Sequence, residues 1–224
     1  MARYTDRMPH LPFASRSAAG EELAALLKAY ASRKDTLVLA LVRGGVVVGR
    51  ALADALQLPL YPYVVRKLGH PGHREYALGA IAEGGGTSLD EASMRSSSVT
   101  WEDMEPITEE EMEELKRRKE AYAVRARPNL KGKTVLLVDD GAATGASLFA
   151  TIEDLRARNV KKIVVGLPVS PPDTAVKLTE KADDVIVLSA PDPFDAVGRW
   201  YREFPEVPDE EVIRLLAADR HSKH

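Results

Sequence analysis

The stretch VLLVDDGAATGAS, residues 135–147, runs four apolar residues into two adjacent carboxylates and then into a loop of glycine, alanine, threonine and serine. An apolar run without alternation predicts a strand buried on both faces of a parallel sheet. In an open parallel sheet, ligands sit outside the carboxyl ends of the strands, where helix N-termini leave backbone N–H groups unpaired. Asp139 and Asp140 fall at that end. The residues behind them, Gly141, Ala142, Ala143, Thr144, Gly145, Ala146 and Ser147, have side chains small enough for the backbone to approach a ligand, and they open a helix whose positive end favours phosphate. Two carboxylates one residue earlier would repel that phosphate, so they face a different part of the ligand: hydroxyl donors, a magnesium ion, or both. A ribose 5-phosphate meets both demands.

Outward from this stretch, the same kind of apolar run recurs at TLVLALV (36–42), LYPYVV (60–65), KIVVGLPV (162–169) and DVIVLS (184–189). Helical periodicity separates them. Residues 15–31 place Leu23, Leu26, Leu27 and Tyr30 on one face with Ser17 as a cap, a second helix follows RGG through Leu56, and others are predicted near 145–157 and 172–181. Strand, helix, strand at this spacing means an α/β fold with right-handed crossovers. Between 67 and 107 the regularity fails, which predicts a long mobile loop with short antiparallel strands. A helix over 108–126 begins acidic and ends basic, matching its macrodipole. The polar end DRHSKH (219–224) is predicted to fray.

With 224 residues, 45% of them hydrophobic, the chain can bury one main core. A formal charge of −3 gives no electrostatic footprint for nucleic acid or an anionic membrane surface. With no cysteine there is no disulfide framework or thiolate zinc site, and no apolar run reaches the ~20 residues that span a bilayer. The expectation is a cytoplasmic protein without nucleic-acid or membrane partners.

VLLVDDGAATGAS resembles the 5-phosphoribosyl 1-pyrophosphate (PRPP) motif of type I phosphoribosyltransferases. It departs at Gly141, where many members carry an aliphatic residue, and at Ala143, where hypoxanthine-guanine enzymes carry an aspartate and adenine-type enzymes do not. LALVRGGVVVGRALADALQLPL resembles the family's pyrophosphate loop, VVRKLGHPGHREYALGAIAEGG its mobile catalytic loop, and LPVSPPDTA with PFDAVGRWYREFPEVPDEEV extends the likeness to residues 13–213. The resemblance implies one domain over 1–224, a doubly wound, mainly parallel five-stranded sheet flanked by helices. Its core is at 15–66 and 108–190, its mobile insertion at 67–107, and a small hood at 190–216.

The resemblance also implies roles. Asp139 and Asp140 would take the ribose hydroxyls and Mg²⁺, in part through water, and residues 141–147 the 5′-phosphate. Arg43, Gly44 and Gly45 would meet pyrophosphate around a peptide that is often cis and non-proline in relatives, with Arg66 and Lys67 assisting departure. The implied reaction transfers phosphoribose from PRPP to a nitrogenous, nucleobase-like acceptor, purine favoured, in a homodimeric enzyme of nucleotide salvage. A PRPP-binding regulator with RNA or protein output is the alternative, and a sugar-phosphate hydrolase ranks last because no nucleophile stands beside the acids.

Other features read more plainly. Arg66 and Lys67 end a buried strand, where they also suit a solvated sheet edge. His70 and His73 lack a third ligand and read as loop polarity. Glu75 and Tyr76 stay open between a base or lid contact and loop packing. GKT at 132–134 precedes a strand rather than following one and has Arg127 where a nucleotide-binding loop needs glycine. Phe194, Trp200 and Tyr201 read as packing of the terminal segment rather than stacking on a base.

Overall fold

A computed structural model describes residues 3–4, 11–123 and 128–218. The five predicted strands are all present. They are β2 (Thr36–Leu41), β3 (Leu60–Tyr63), β7 (Thr134–Val138), β8 (Lys162–Val169) and β9 (Asp184–Ser189), all parallel, with a two-residue strand β1 (Arg3–Tyr4) added beside β9. The order across the sheet is β1-β9-β8-β7-β2-β3. The chain therefore steps from β2 to one edge and returns to β2's other side at β7. That reversal is the topological switch point, where ligand crevices form.

Helices α1 (Arg16–Leu26), α2 (Gly44–Leu56) and α7 (Asp209–Ala217) cover one face, and α5 (Ala146–Ala157) and α6 (Pro172–Lys181) the other. Alternate residues of each strand feed the two cores. Val38, Ala40, Leu136 and Val138 pack toward α1 and α2, while Leu37, Leu39, Val135 and Leu137 pack toward α5 and α6. Removing each such side chain from water is worth about 1.5–3 kcal/mol, which is why these strands read as unbroken apolar runs. Pro62 is tolerated in β3 because β3 is an edge strand with one neighbour.

Several boundaries differ from the sequence reading. Ser15, not Ser17, caps α1 by accepting the Ala18 N–H at 3.2 Å, and Leu26 is 40% exposed while Leu23, Leu27 and Tyr30 are buried. The run LYPYVV divides: β3 stops at Tyr63, and β4 (Val65–His70) belongs to a separate antiparallel sheet with β5 (His73–Ala82) and β6 (Thr87–Leu89). Arg66 and Lys67 thus lie inside β4 rather than at the end of a buried strand. The region 67–107 contains the expected antiparallel strands, and also α3 (Glu91–Ser96) and the start of α4 (Trp101–Ala121).

Helix α4 begins earlier than position 108 because Thr100 and Asp103 form a reciprocal capping box, which carries the helix through Pro106. Residues 124–126 of the predicted helix and the tail 219–224 lie outside the described residues. The hood segment crosses the site as a strap: Phe13 N–H donates to Trp200 O at 2.8 Å and Arg202 N–H to Phe13 O at 2.8 Å.

Candidate active site

Strands β2 and β7 are neighbours, so the turns leaving their carboxyl ends lie side by side. One carries Arg43, Gly44 and Gly45, and the other Asp139 and Asp140. They approach so closely that a Cβ on Gly44 would stand 1.9 Å from Asp140 Oδ2, and one on Gly45 2.8 Å from Asp139 Oδ1. A side chain at either position would have to displace one of these carboxylates, which gives RGG a steric reason beyond its turn. The peptide between Val42 and Arg43 is cis.

The Asp140 N–H donates to Asp139 Oδ1 at 2.9 Å. Asp140 Oδ2 accepts from Arg16 Nε at 2.7 Å, and the Tyr201 hydroxyl donates to the Asp140 carbonyl oxygen at 2.5 Å. Desolvation pushes Asp139 well above the usual carboxylate range, with the charge of Asp140 adding to it. Asp140 is also raised by desolvation, against the pull of Arg16. Burial and the neighbouring acids push the Tyr201 phenol up too, so it stays a donor.

Beyond the acids, Thr174 Oγ1 donates to Ala143 O at 2.6 Å and fixes the loop. Gly145 has φ +79° at the N-terminus of α5, a left-handed conformation that favours glycine. The N–H of Ala142 is bonded to Val169 O at 3.0 Å, and that of Ala146 lies 3.5 Å from Thr144 Oγ1. Those of Ala143, Thr144, Gly145 and Ser147 meet no partner among the described residues, leaving a concave set of donors at a helix N-terminus. Gly141 also has a steric reason: a Cβ there would come within 2.6 Å of Val197 Cγ1 and 2.9 Å of Val169 Cγ1. The strap packs through Val197 against the bare backbone of Gly141.

The cleft has two lobes that meet at Lys67, Asp139, Asp140 and Ser147. One, of about 470 Å³, is lined by 139–148 with Tyr76, Ala77 and Val197. The other, of about 660 Å³, holds Arg43, Gly44, Arg66, Lys67, Arg74 and Arg118. All four of its arginines are already paired with acids, Arg118 with Glu114 at 2.7 Å. Arg43 meets Glu206 at 2.5 Å and Asp209 at 3.7 Å, Arg66 meets Glu111 at 2.6 Å, and Arg74 meets Glu110 at 2.6 Å.

Two desolvated carboxylates offering hard oxygen donors suit Mg²⁺ rather than a soft metal. No group of three or more histidine, aspartate or glutamate side chains able to hold a metal exists among the described residues. The acids therefore fit an ion that brings most of its ligands with it, from substrate oxygens and water.

His70 Nδ1 accepts the Gly72 N–H at 2.9 Å, a hairpin-tip contact. Tyr76 is exposed and lines the first lobe, while the side chain of Glu75 lies outside the described residues. Gly132 turns the chain into β7 with φ +72°. Phe194 stacks on Trp200 at 6.1 Å and Tyr201 packs against Phe13, so these aromatics pack the strap. The sequence reading missed Arg16, Glu111, Glu206 and Asp209. The partners of the first three are 45 to 163 residues away in the chain, and no local pattern marks them.

Comparison with known proteins bears on the family and the fold. The family described as phosphoribosyl transferase domain matches residues 15–197. Two Mycobacterium tuberculosis proteins, from strains CDC 1551 / Oshkosh and ATCC 25618 / H37Rv, carry the printed name "Putative phosphoribosyl transferase". Each is 40% identical over 205 residues, 91% of this chain and 46% of its own length. The chain thus spans about half the length of these curated relatives. A crystal structure from Thermus thermophilus is similar at a TM-score of 0.75 and 38% identity, covering 92% of this chain and 97% of that one.

Proposed function

Because this chain belongs to the phosphoribosyl transferase domain family, we propose that its cleft binds PRPP and transfers the phosphoribosyl group to a nitrogenous acceptor, releasing pyrophosphate. The observation that carries the reading is the switch-point arrangement: the amides of Ala143, Thr144, Gly145 and Ser147, without partners among the described residues, beside a desolvated acidic pair and facing a cation-rich second lobe. The amides suit the 5′-phosphate, Asp139 and Asp140 the sugar's hydroxyls, and the amides of Arg43, Gly44 and Gly45 with Arg66 and Lys67 the pyrophosphate.

In the reaction the C1–O bond to pyrophosphate breaks, a C1–N bond forms from the opposite face, and the acceptor nitrogen gives up a proton. The carbon passes through oxocarbenium character, so stabilising the departing anion is the main demand on the site. Lys67 is exposed and sits at the junction of the lobes, near enough to lower the Asp139 carboxyl against its burial. It needs no partner exchange to reach the leaving oxygens. Arg43 and Arg66 turn from their carboxylates toward the anion. Mg²⁺, which Asp139 or Asp140 would hold in part through water, supplies charge neutralisation of the pyrophosphate when bound. The β4–β5 hairpin carries Lys67 and Tyr76 over the cleft, where closing it keeps water from C1. The same reading keeps a purine-type acceptor, a homodimer, and a cytoplasmic enzyme of nucleotide salvage as its working expectations.

The test is pyrophosphate release from PRPP with Mg²⁺ and a panel of purines, pyrimidines and simple amines. Acceptor-dependent release supports the proposal. No release with any acceptor, or release equal to that without acceptor, contradicts it.

A further inference from the structure

Arg16 is the first residue of α1, a position where the helix dipole disfavours a cation. It is also 8% exposed, and a buried guanidinium needs partners. It has three. Nε donates to Asp140 Oδ2 at 2.7 Å, Nη1 donates to Pro205 O at 2.7 Å, and the guanidinium carbon lies 3.6 Å from the centre of the Phe204 ring. One fork thus ties the acidic pair to the strap. A Cβ on Gly44 would lie 3.0 Å from Arg16 Nε, so the pyrophosphate loop closes the third side of this pocket.

We propose that Arg16 is a positioning residue of the site, holding Asp140 as half of an internal ion pair and leaving Asp139 as the carboxylate without an ion-pair partner among the described residues. The proposal rests on the PRPP reading above and deepens it. Two unneutralised aspartates would attract a free divalent cation and repel an anionic sugar phosphate. With Arg16 in place an ionised pair carries one net negative charge rather than two, and Asp140 still lines both lobes. Arg16 therefore tunes the site against free cation and toward anion, and fixes the strap that carries Val197 and Tyr201 against the motif.

The experiment is calorimetric titration of the whole protein with two probes separately, Mn²⁺ alone and ribose 5-phosphate alone, for wild type, Arg16→Gln and Arg16→Gln/Asp140→Asn. Removing a unit charge a few ångströms from each probe should move affinities by at least about fivefold. Arg16→Gln is expected to bind Mn²⁺ more tightly and ribose 5-phosphate more weakly, and the double variant to bring Mn²⁺ back to within about twofold of wild type. Affinities that fall together, as mere loosening of the fold would produce, overturn the proposal, and so do unchanged affinities. If Arg16→Gln does not fold, Asp140→Asn is compared with the double variant. They differ only in the charge of Arg16, so Mn²⁺ must bind more tightly to the double. A wild type that does not bind ribose 5-phosphate contradicts the functional reading instead, and the Mn²⁺ titrations still decide the role of Arg16.

Discussion

The two lobes of the cleft are built on opposite plans. On one side, residues 141–147 offer backbone N–H groups whose neighbours are small side chains, and four of those amides have no partner among the described residues. On the other side the lining side chains are long cations, and all four arginines are held by carboxylates from α4 and the strap. The first surface is ready before ligand arrives. The second must exchange partners, giving up an ion pair for each new contact. Preformed dipoles cost no rearrangement at the moment of reaction, whereas a paired arginine contributes only the difference between its old and new partners. Under the proposed function, the contrast predicts that the sugar-phosphate end sets affinity and the pyrophosphate end gates it.

The strongest blow to this comparison falls at its hinge. Asp139→Asn leaves the fold in place, since the asparagine oxygen can still accept the Asp140 N–H, and should lower kcat/KM for PRPP by at least about 100-fold, as expected for a group aimed at the reacting sugar. Steady-state pyrophosphate release checks it, and wild-type turnover would remove Asp139 from the site.

A smaller effect of opposite sign is expected on the cation side. Glu111, whose side chain is 14% exposed, holds Arg66, whose own is 26% exposed. Glu111→Gln should free that arginine and tighten pyrophosphate as a product inhibitor about threefold to tenfold. Weaker inhibition would mean that Glu111 aims Arg66 rather than restraining it. The smallest change serves as the control. Glu110 and Arg74 are 65% and 50% exposed, so Glu110→Gln should alter the same inhibition constant by less than about twofold, as surface pairs do.

What was legible in the sequence follows from range. Strands β2, β7, β8 and β9 were readable because burial on both faces writes itself into consecutive residues, and the amide loop because turn, helix start and acids all lie within the short stretch 135–147. The antiparallel sheet was only partly readable. The step from β3 to β4 occurs inside one apolar run, with Val64 as the joint, so period alone could not divide it. Pro106 masked the start of α4 although Thr100 and Asp103 carried the capping signature. The arginine partners were illegible in principle. Nothing near Arg16 in the chain announces Asp140 or Pro205, and an acidic face on α4 looks like solvation until Arg66 is found against it. The family likeness located the cations, but the carboxylates that hold them emerged only from the fold.

The most direct test of the whole account is a crystal structure of the protein with PRPP and Mg²⁺. The 5′-phosphate is predicted to lie on the amides of residues 143–147, the ribose hydroxyls toward Asp139, and Arg66 turned from Glu111 to the pyrophosphate. A phosphate seated instead among Arg43, Arg66 and Arg74 with the 143–147 loop bare would contradict it, as would a cleft left empty at saturating PRPP.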